Sequence, residues 1–250
     1  MNIIFKSMII HSLRDKISVF YALVFPIILM LLLSIFFDGA STDIKILTGV
    51  TAVSTIFWGM QGIAFQIHSQ RNKGVYKLLK LTPMPVISFV FIMVAARTIL
   101  GFIITSIIWV FGIIYFNIDI TFISVTTTSS FIILGILCFT SIGFLLANLA
   151  SNEGQINIYA NLIQIPMIFM SEAFYRLPNA PDWLLLIGKY LPFEYYVKGF
   201  NGILDRSYDN LYSGMFIVSV YFLATVLLSV FTFKWDEKQR INIRLRKTSA

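Results

Sequence analysis

The chain is expected to fold as an all-α polytopic membrane protein with six transmembrane helices, and three observations predict this. Of its 250 residues 58% are hydrophobic and 12% charged, whereas a soluble domain carries roughly 45–50% apolar and about 25% charged residues. The mean hydropathy of +0.83 points the same way. The apolar residues gather into six runs, each long enough to cross a bilayer core of about 30 Å, which takes ~20 helical residues. The cations collect in a few connecting segments, as loops on the cytoplasmic side of a membrane require.

The runs cover residues 18–37, 46–67, 86–116, 122–149, 156–174 and 214–233. The third and fourth exceed the bilayer requirement, so tilt or protrusion is expected of them. Ahead of the first run, MNIIFKSMIIHSLRDK sets Phe5, Ile9, Leu13 and Ile17 at four-residue steps, with Lys6, Arg14 and Lys16 elsewhere around the turn. That is the pattern of an amphipathic helix over 1–17 lying in the membrane interface; a frayed basic leader is the alternative. The run that follows has no small-residue cleavage site, so it reads as a retained anchor and not as a signal peptide.

Orientation comes from the cations. Lys6, Arg14 and Lys16 precede the first run, Arg71, Lys73, Lys77 and Lys80 lie between the second and third, and Lys234, Lys238, Arg240, Arg244, Arg246 and Lys247 follow the sixth. On the other side stand only Lys45 against Asp38 and Asp43, and Asp119. Both termini are therefore expected in the cytoplasm. The loop ASNEGQ carries only Glu153 and adds no support. One six-span domain over 18–234 and a basic cytoplasmic tail over 235–250 complete the organisation. The net charge of +7 is then a consequence of topology, and no nucleic-acid partner is implied.

What the sequence lacks narrows the function. Cys138 is the single cysteine and lies in an apolar run, so there is no disulfide framework. No GxxxxGK[ST] phosphate-cradling loop occurs. The two histidines, His11 and His68, form no metal-ligand spacing. No nucleophile has a base within its run, as a membrane hydrolase or acyltransferase would need. Ionisable groups in the apolar runs reduce to Arg97 and to Glu172 and Arg176 at the end of the fifth, too few for a proton relay. Three classes remain: the permease half of an ATP-driven exporter, a secondary transporter or channel working alone, and a membrane enzyme acting on lipid.

Residues 70–85, QRNKGVYKLLKLTPMP, interrupt the apolar pattern with four cations and two prolines. At helical spacing Lys73, Lys77 and Lys80 share one sector, and Val75, Leu78 and Leu79 lie opposite. The segment is too short to span, and Pro83 and Pro85 end it. It reads as a short cytoplasmic helix that docks on a partner; a basic loop held at anionic headgroups is the alternative. The stretch 177–204, with Pro178, Pro181, Pro192, Gly188, Gly199 and Gly202, has apolar runs too short to span, so either protein shields it at membrane depth or it lies at the interface; an ordinary extracytoplasmic loop is the alternative.

Three segments together resemble the membrane subunits of the type-2 ABC exporter family, which exports drugs, bacteriocins and polysaccharides. LRDKISVFYALVFPI (13–27) is similar to the family's Arg-Asp entry into a first span with an early proline. QRNKGVYKLLKLTPMP resembles its charged segment with Gly, Leu-Leu and Thr-Pro. MSEAFYRLPNAPDWLLLIGKYLPFEYYVKGFNGIL (170–204) resembles its stretch after the fifth span. The likeness implies a coupling helix at about 70–82, with Gln70, Arg71, Asn72, Lys73, Gly74, Lys77, Leu78 and Leu79 meeting a separate P-loop ATPase. It also implies short re-entrant helices within about 177–205, and pairing with a second permease copy or paralogue. ATP and Mg would sit on the partner subunit and no cofactor on this chain, which would reside in a bacterial plasma membrane and pass out a drug, peptide or lipid-like compound.

Two departures qualify the resemblance. Gln70 and Asn72 stand where the family often has acids, so docking would use hydrogen bonds, Arg71 and the lysines against an acidic partner surface. Glu172 and Arg176, four apart, replace the usual Gly and Pro and form either an outer gate or a rim ion pair. Arg97, about 18 Å along the helix from Pro85, either touches substrate or pairs inside the bundle.

Overall fold

The computed structural model describes residues 10, 19–37, 39–75, 85–173, 181–205 and 207–233. The interfacial helix expected over 1–17, the coupling residues Lys77, Leu78 and Leu79, Arg176 and the basic tail lie outside the described residues, Ile10 excepted. Among the described residues regular structure is entirely helical. The helices are α1 (Phe25–Phe36), α2 (Ala40–Ile56), α3 (Gly62–Asn72), α4 (Val86–Phe116), α5 (Phe122–Leu149), α6 (Glu153–Phe169), α7 (Asp182–Gly188), α8 (Pro192–Leu204) and α9 (Tyr208–Thr232). Two π-helical turns interrupt them: Phe20–Val24 leads into α1, and Phe57–Gln61 joins α2 to α3.

Four helices are long and apolar enough to cross a membrane: Thr42–Asn72, Ile87–Phe116, Phe122–Leu149 and Tyr208–Thr232. Two of the six apolar runs form shorter helices. The first yields the apolar helix Ala22–Phe36. The fifth yields α6, whose 17 residues span only about 25 Å, because the chain leaves the helix after Phe169 and Gln155, Asn157, Asn161 and Gln164 dilute its apolar character.

Thr42–Asn72 is the centre of the bundle; in its most apolar stretch 89% of residues are buried. Small side chains permit this. On the π turn, a Cβ added at Gly59 would meet Phe139 Cβ at 2.8 Å and the Thr140 nitrogen at 3.0 Å, and one added at Gly143 would run into the Met60 carbonyl. The central helix and α5 therefore cross backbone to backbone, as small residues allow in membrane bundles. Thr51 and Thr55 donate to the carbonyls of Leu47 and Thr51 within the helix (2.7 and 2.9 Å), so their burial leaves neither hydroxyl unsatisfied.

At α1, Pro26 cannot supply the amide hydrogen that a carbonyl in the preceding turn would accept. Ser54 Oγ on α2 donates instead to the Ala22 carbonyl, at 2.5 Å. A side-chain hydroxyl thus re-satisfies backbone freed by a proline, the usual condition for proline in a spanning helix.

Helices α7 and α8 are too short to span, and α8 packs into the bundle with Pro192, Phe193, Tyr196, Val197 and Phe200 buried. Pro192 starts it from a position where the missing donor costs nothing. A Cβ at Gly214 would lie 2.7 Å from the Tyr195 carbonyl and 3.1 Å from Gly199 Cα, so α8 and α9 form a close hairpin. Tyr196 enters the space left by Gly135, stacked on Phe131 (5.0 Å) and edge-on to Phe200 (4.9 Å).

Candidate functional site

At the second π turn several backbone groups are held by distant side chains. The Ile56 carbonyl accepts from Gln164 Nε2 of α6 at 3.1 Å. The Trp58 carbonyl accepts from Arg97 Nε (3.3 Å) and Nη2 (3.2 Å). In return Trp58 Nε1 donates to the Arg97 carbonyl at 3.0 Å, the guanidinium lies 3.9 Å from the Trp58 ring centroid, and Arg97 Nη1 reaches Gln66 Oε1 at 3.4 Å. Arg97 is 1% exposed. Of the two roles expected for Arg97, these contacts are those of pairing inside the bundle: its charge is delocalised over a planar fork that fits a carbonyl, an amide and an indole face together, and it closes the π turn against α4.

The end of the bundle at which α3 stops contains most of the described coupling residues. Here Lys73 N donates to the Ser69 carbonyl and Gly74 N to the Arg71 carbonyl, both at 3.0 Å. Gly74 adopts φ +72°, a left-handed stop that only glycine takes without strain. Residues 70–72 are thus the last turn of the central helix and not the start of a separate one. Gln70 and Arg71 are buried, whereas Asn72 and Lys73 are exposed. Asn72 Nδ2 lies 2.9 Å from His68 Nε2 and donates to it.

Arg71 ties this turn to two other helices. Its Nη1 donates to the Ala147 carbonyl (3.2 Å) and its Nη2 to Asn148 Oδ1 (3.4 Å) at the end of α5. Asn148 Nδ2 in turn donates to the Ser229 carbonyl (3.0 Å) and to Thr232 Oγ1 (3.2 Å) at the end of α9. One carboxamide therefore uses acceptor and donors at once to join α3, α5 and α9. No run or spacing marked Asn148, because an asparagine between Ala147 and Leu149 carries no pattern.

At the opposite end, Glu172 lies in the bend that follows α6, and Arg176 is outside the described residues. The backbone N–H of Glu172 donates to Glu194 Oε2 at 2.9 Å. Glu194 Oε1 is paired with Lys198 Nζ at 3.0 Å. Partial burial would lower the Lys198 pKa, but the hydrogen bond and charge of Glu194, with Glu172, outweigh it and hold the ammonium above its ordinary value. The spacing P-F-E-x-x-x-K could have signalled this pair: Pro at the helix start, an acid in the first turn and a lysine four residues on. Thr48 Oγ1 also donates to Asn201 Oδ1 at 2.7 Å, fixing α8 to the middle of α2.

Among the described residues no group of three His, Cys, Asp or Glu side chains comes together to hold a metal. The sites described above are hydrogen-bonded junctions between helices. A family model described as "ABC-2 type transporter" matches residues 1–204. No curated protein gives a significant match to the chain.

Proposed function

The chain belongs to the ABC-2 type transporter family, and on that premise we propose that it is the permease subunit of an ATP-driven exporter. The family membership carries this reading. In it, α1 and α6 join the four long helices to make six spans, both termini lie in the cytoplasm of a bacterium, and two permeases enclose a path for a drug, peptide or lipid-like compound. ATP and Mg bind to a separate P-loop ATPase. Residues from Asn72 through Leu79 receive that ATPase, with the lysines and the exposed amide of Asn72 directed to an acidic surface.

The junction at Arg71 gives the reading a physical route. A push on the segment after Gly74 acts on the last turn of the most buried helix, and the Arg71–Asn148 contact passes it to α5 and α9. Packed, discretely bonded elements shift as units and do not deform smoothly.

Replacing Leu78 and Leu79 by Asp removes the apolar face expected to meet the ATPase. ATP-dependent uptake into inverted vesicles should fall to background while the protein still inserts. Co-purification of the wild-type chain with a P-loop ATPase is the companion measurement. Substrate movement by the purified chain with no ATPase present would instead establish a stand-alone carrier.

A further inference from the structure

Helix α5 opens on hydroxyls: seven of the ten residues from Thr121 to Ser130 are Thr or Ser. Thr126, Thr127, Ser129 and Ser130 donate to carbonyls one turn back, at 2.8 to 3.2 Å, so their oxygens keep lone pairs and no free proton. Thr121 and Ser124 share one proton at 2.9 Å and retain a second. Thr128, about one turn below Ser124 on the same face, departs from the pattern. Its hydroxyl is buried and has no partner among the described residues.

Three of these hydroxyls line a cavity of about 240 Å³ where the start of α5 meets the end of α8 and the start of α9. Its walls include Thr121, Ser124 and Thr127, the phenol of Tyr208, and apolar Ile203 and Leu211. Sites for drug-sized ligands run to roughly 300–1,000 Å³, so this one holds a single ring or headgroup. All three helices begin or end here, which sets the cavity at the membrane surface and not in the hydrocarbon. Thr121 and Thr127 are about 9 Å apart along the helix, comparable with the roughly 5–8 Å of headgroup layer on each side of a bilayer core. Below the rim, α9 is the least enclosed of the four long helices, with 17% of its most apolar stretch buried. Tyr208, Tyr212, Phe216, Val220, Leu223 and Leu227 are exposed on it and fall within a sector of about 120°. A polar cavity thus stands at the head of a continuous apolar stripe.

We propose that this cavity is a lipid site for an uncharged, hydroxyl-bearing headgroup such as that of a hexosyl diacylglycerol, whose acyl chains lie along the α9 stripe. The chemistry selects this class. The walls offer donors (the second proton of the Thr121–Ser124 pair and the Tyr208 phenol) beside acceptors, and each sugar hydroxyl presents one donor and two lone pairs. A trimethylammonium headgroup has no donor for those acceptors, and a primary ammonium would leave the donors unused. An anionic headgroup meets the wrong field. Exposed Asp119, Asp205 and Asp209 stand within two residues of lining positions, and Arg206 is outside the described residues.

The site stands apart from the exporter reading; the orientation proposed above places it in the outer leaflet. The full chain in phosphatidylcholine nanodiscs is doped with a hexosyl diacylglycerol that carries a photoactivatable diazirine on one acyl chain, and adducts are mapped by mass spectrometry. Labelling of the α9 peptide that holds Tyr212 and Phe216 is expected to saturate as the mole fraction rises. Thr127→Val and Tyr208→Phe should each raise the half-saturating fraction about fivefold, the effect of one hydrogen bond, with the melting temperature unchanged. Ser124→Phe, which fills the cavity, should remove the saturable component. Diazirine lipids with phosphocholine or phosphoglycerol headgroups should label the same peptide without saturating.

Labelling that never saturates overturns the proposal, as does a half-saturating fraction unchanged in all three variants. Equal saturation by the phosphoglycerol lipid overturns the uncharged class. Displacement by free methyl hexoside at the concentrations that suffice for the hexosyl lipid overturns the lipid assignment and makes the cavity a site for a soluble sugar. Cross-links between two chains through α9, in place of lipid adducts, overturn it too and make that face a contact between copies. Unsaturable labelling with ATP-driven export intact in vesicles removes only the lipid site. Absence of any ATPase association removes the exporter reading and leaves the lipid result standing.

Discussion

The Arg97 guanidinium reaches the Trp58 carbonyl with two nitrogens and Gln66 with a third, and its plane rests on the indole that donates back to the Arg97 carbonyl. Removing it leaves a carbonyl of the π turn short of its donor in a dry interior, which costs about 1–3 kcal/mol. Arg97→Met should therefore lower the melting temperature of the detergent-solubilised chain by roughly 3–10 °C, using about 2–4 °C per kcal/mol for a chain of this size. Arg97→Lys should recover little of that loss, because a point ammonium cannot serve the carbonyl and Gln66 together. A variant that melts like the wild type yet no longer exports would return Arg97 to the substrate path. The sequence showed that a cation stood deep in an apolar run; it could not show a π turn, because no residue type encodes the extra residue that frees a carbonyl.

At the level of helices, the apolar runs read as 86–116 and 122–149 coincide with α4 and α5, since Pro85 and the Asn117 turn punctuate them in the sequence itself. The second run, 46–67, lies inside a longer helical stretch, Thr42–Asn72. Helix α2 begins at Ala40, through Thr42, Asp43 and Lys45, polar residues that periodicity assigns to a loop but a helix end in the polar interface accommodates. Helix crossings were invisible to the same reading: Gly59 and Gly143 matter only because they meet. A Cβ at Gly143 collides with the Met60 backbone, which cannot move aside as a flexible side chain can. Gly143→Val should thus separate α5 from the central helix and give aggregated protein on size-exclusion chromatography. Gly74→Ala makes the contrast, with no atom within 4 Å of the added carbon. Its cost is the left-handed backbone alone, about 1–2 kcal/mol, so it should express normally and lose stability only modestly in thermal melts.

Across the whole molecule, one hydrogen-bonded relay ties the end of α3 to the ends of α5 and α9. Arg71 holds α3 to Asn148 on α5, and Asn148 holds Ser229 and Thr232 on α9. The sequence marks residues 70–85 as an interruption of the apolar pattern, and Arg71 falls within it; the relay at Asn148 is not legible there, because it depends on three chain segments meeting in space. Asn148→Leu keeps the side-chain size close and removes these hydrogen bonds, while Arg71 keeps its bond to the Ala147 carbonyl. In the complex with its ATPase, ATP hydrolysis should persist near the wild-type rate, while transport per ATP falls at least fivefold. The pair can be separated from general damage by a double-mutant cycle: Arg71→Gln alone should reduce transport similarly, and the double variant should be no worse than either single one, since both break the same link. Additive losses would mean that Arg71 and Asn148 act on different steps, and that displacement reaches α5 and α9 by packing across the Gly59–Gly143 crossing instead.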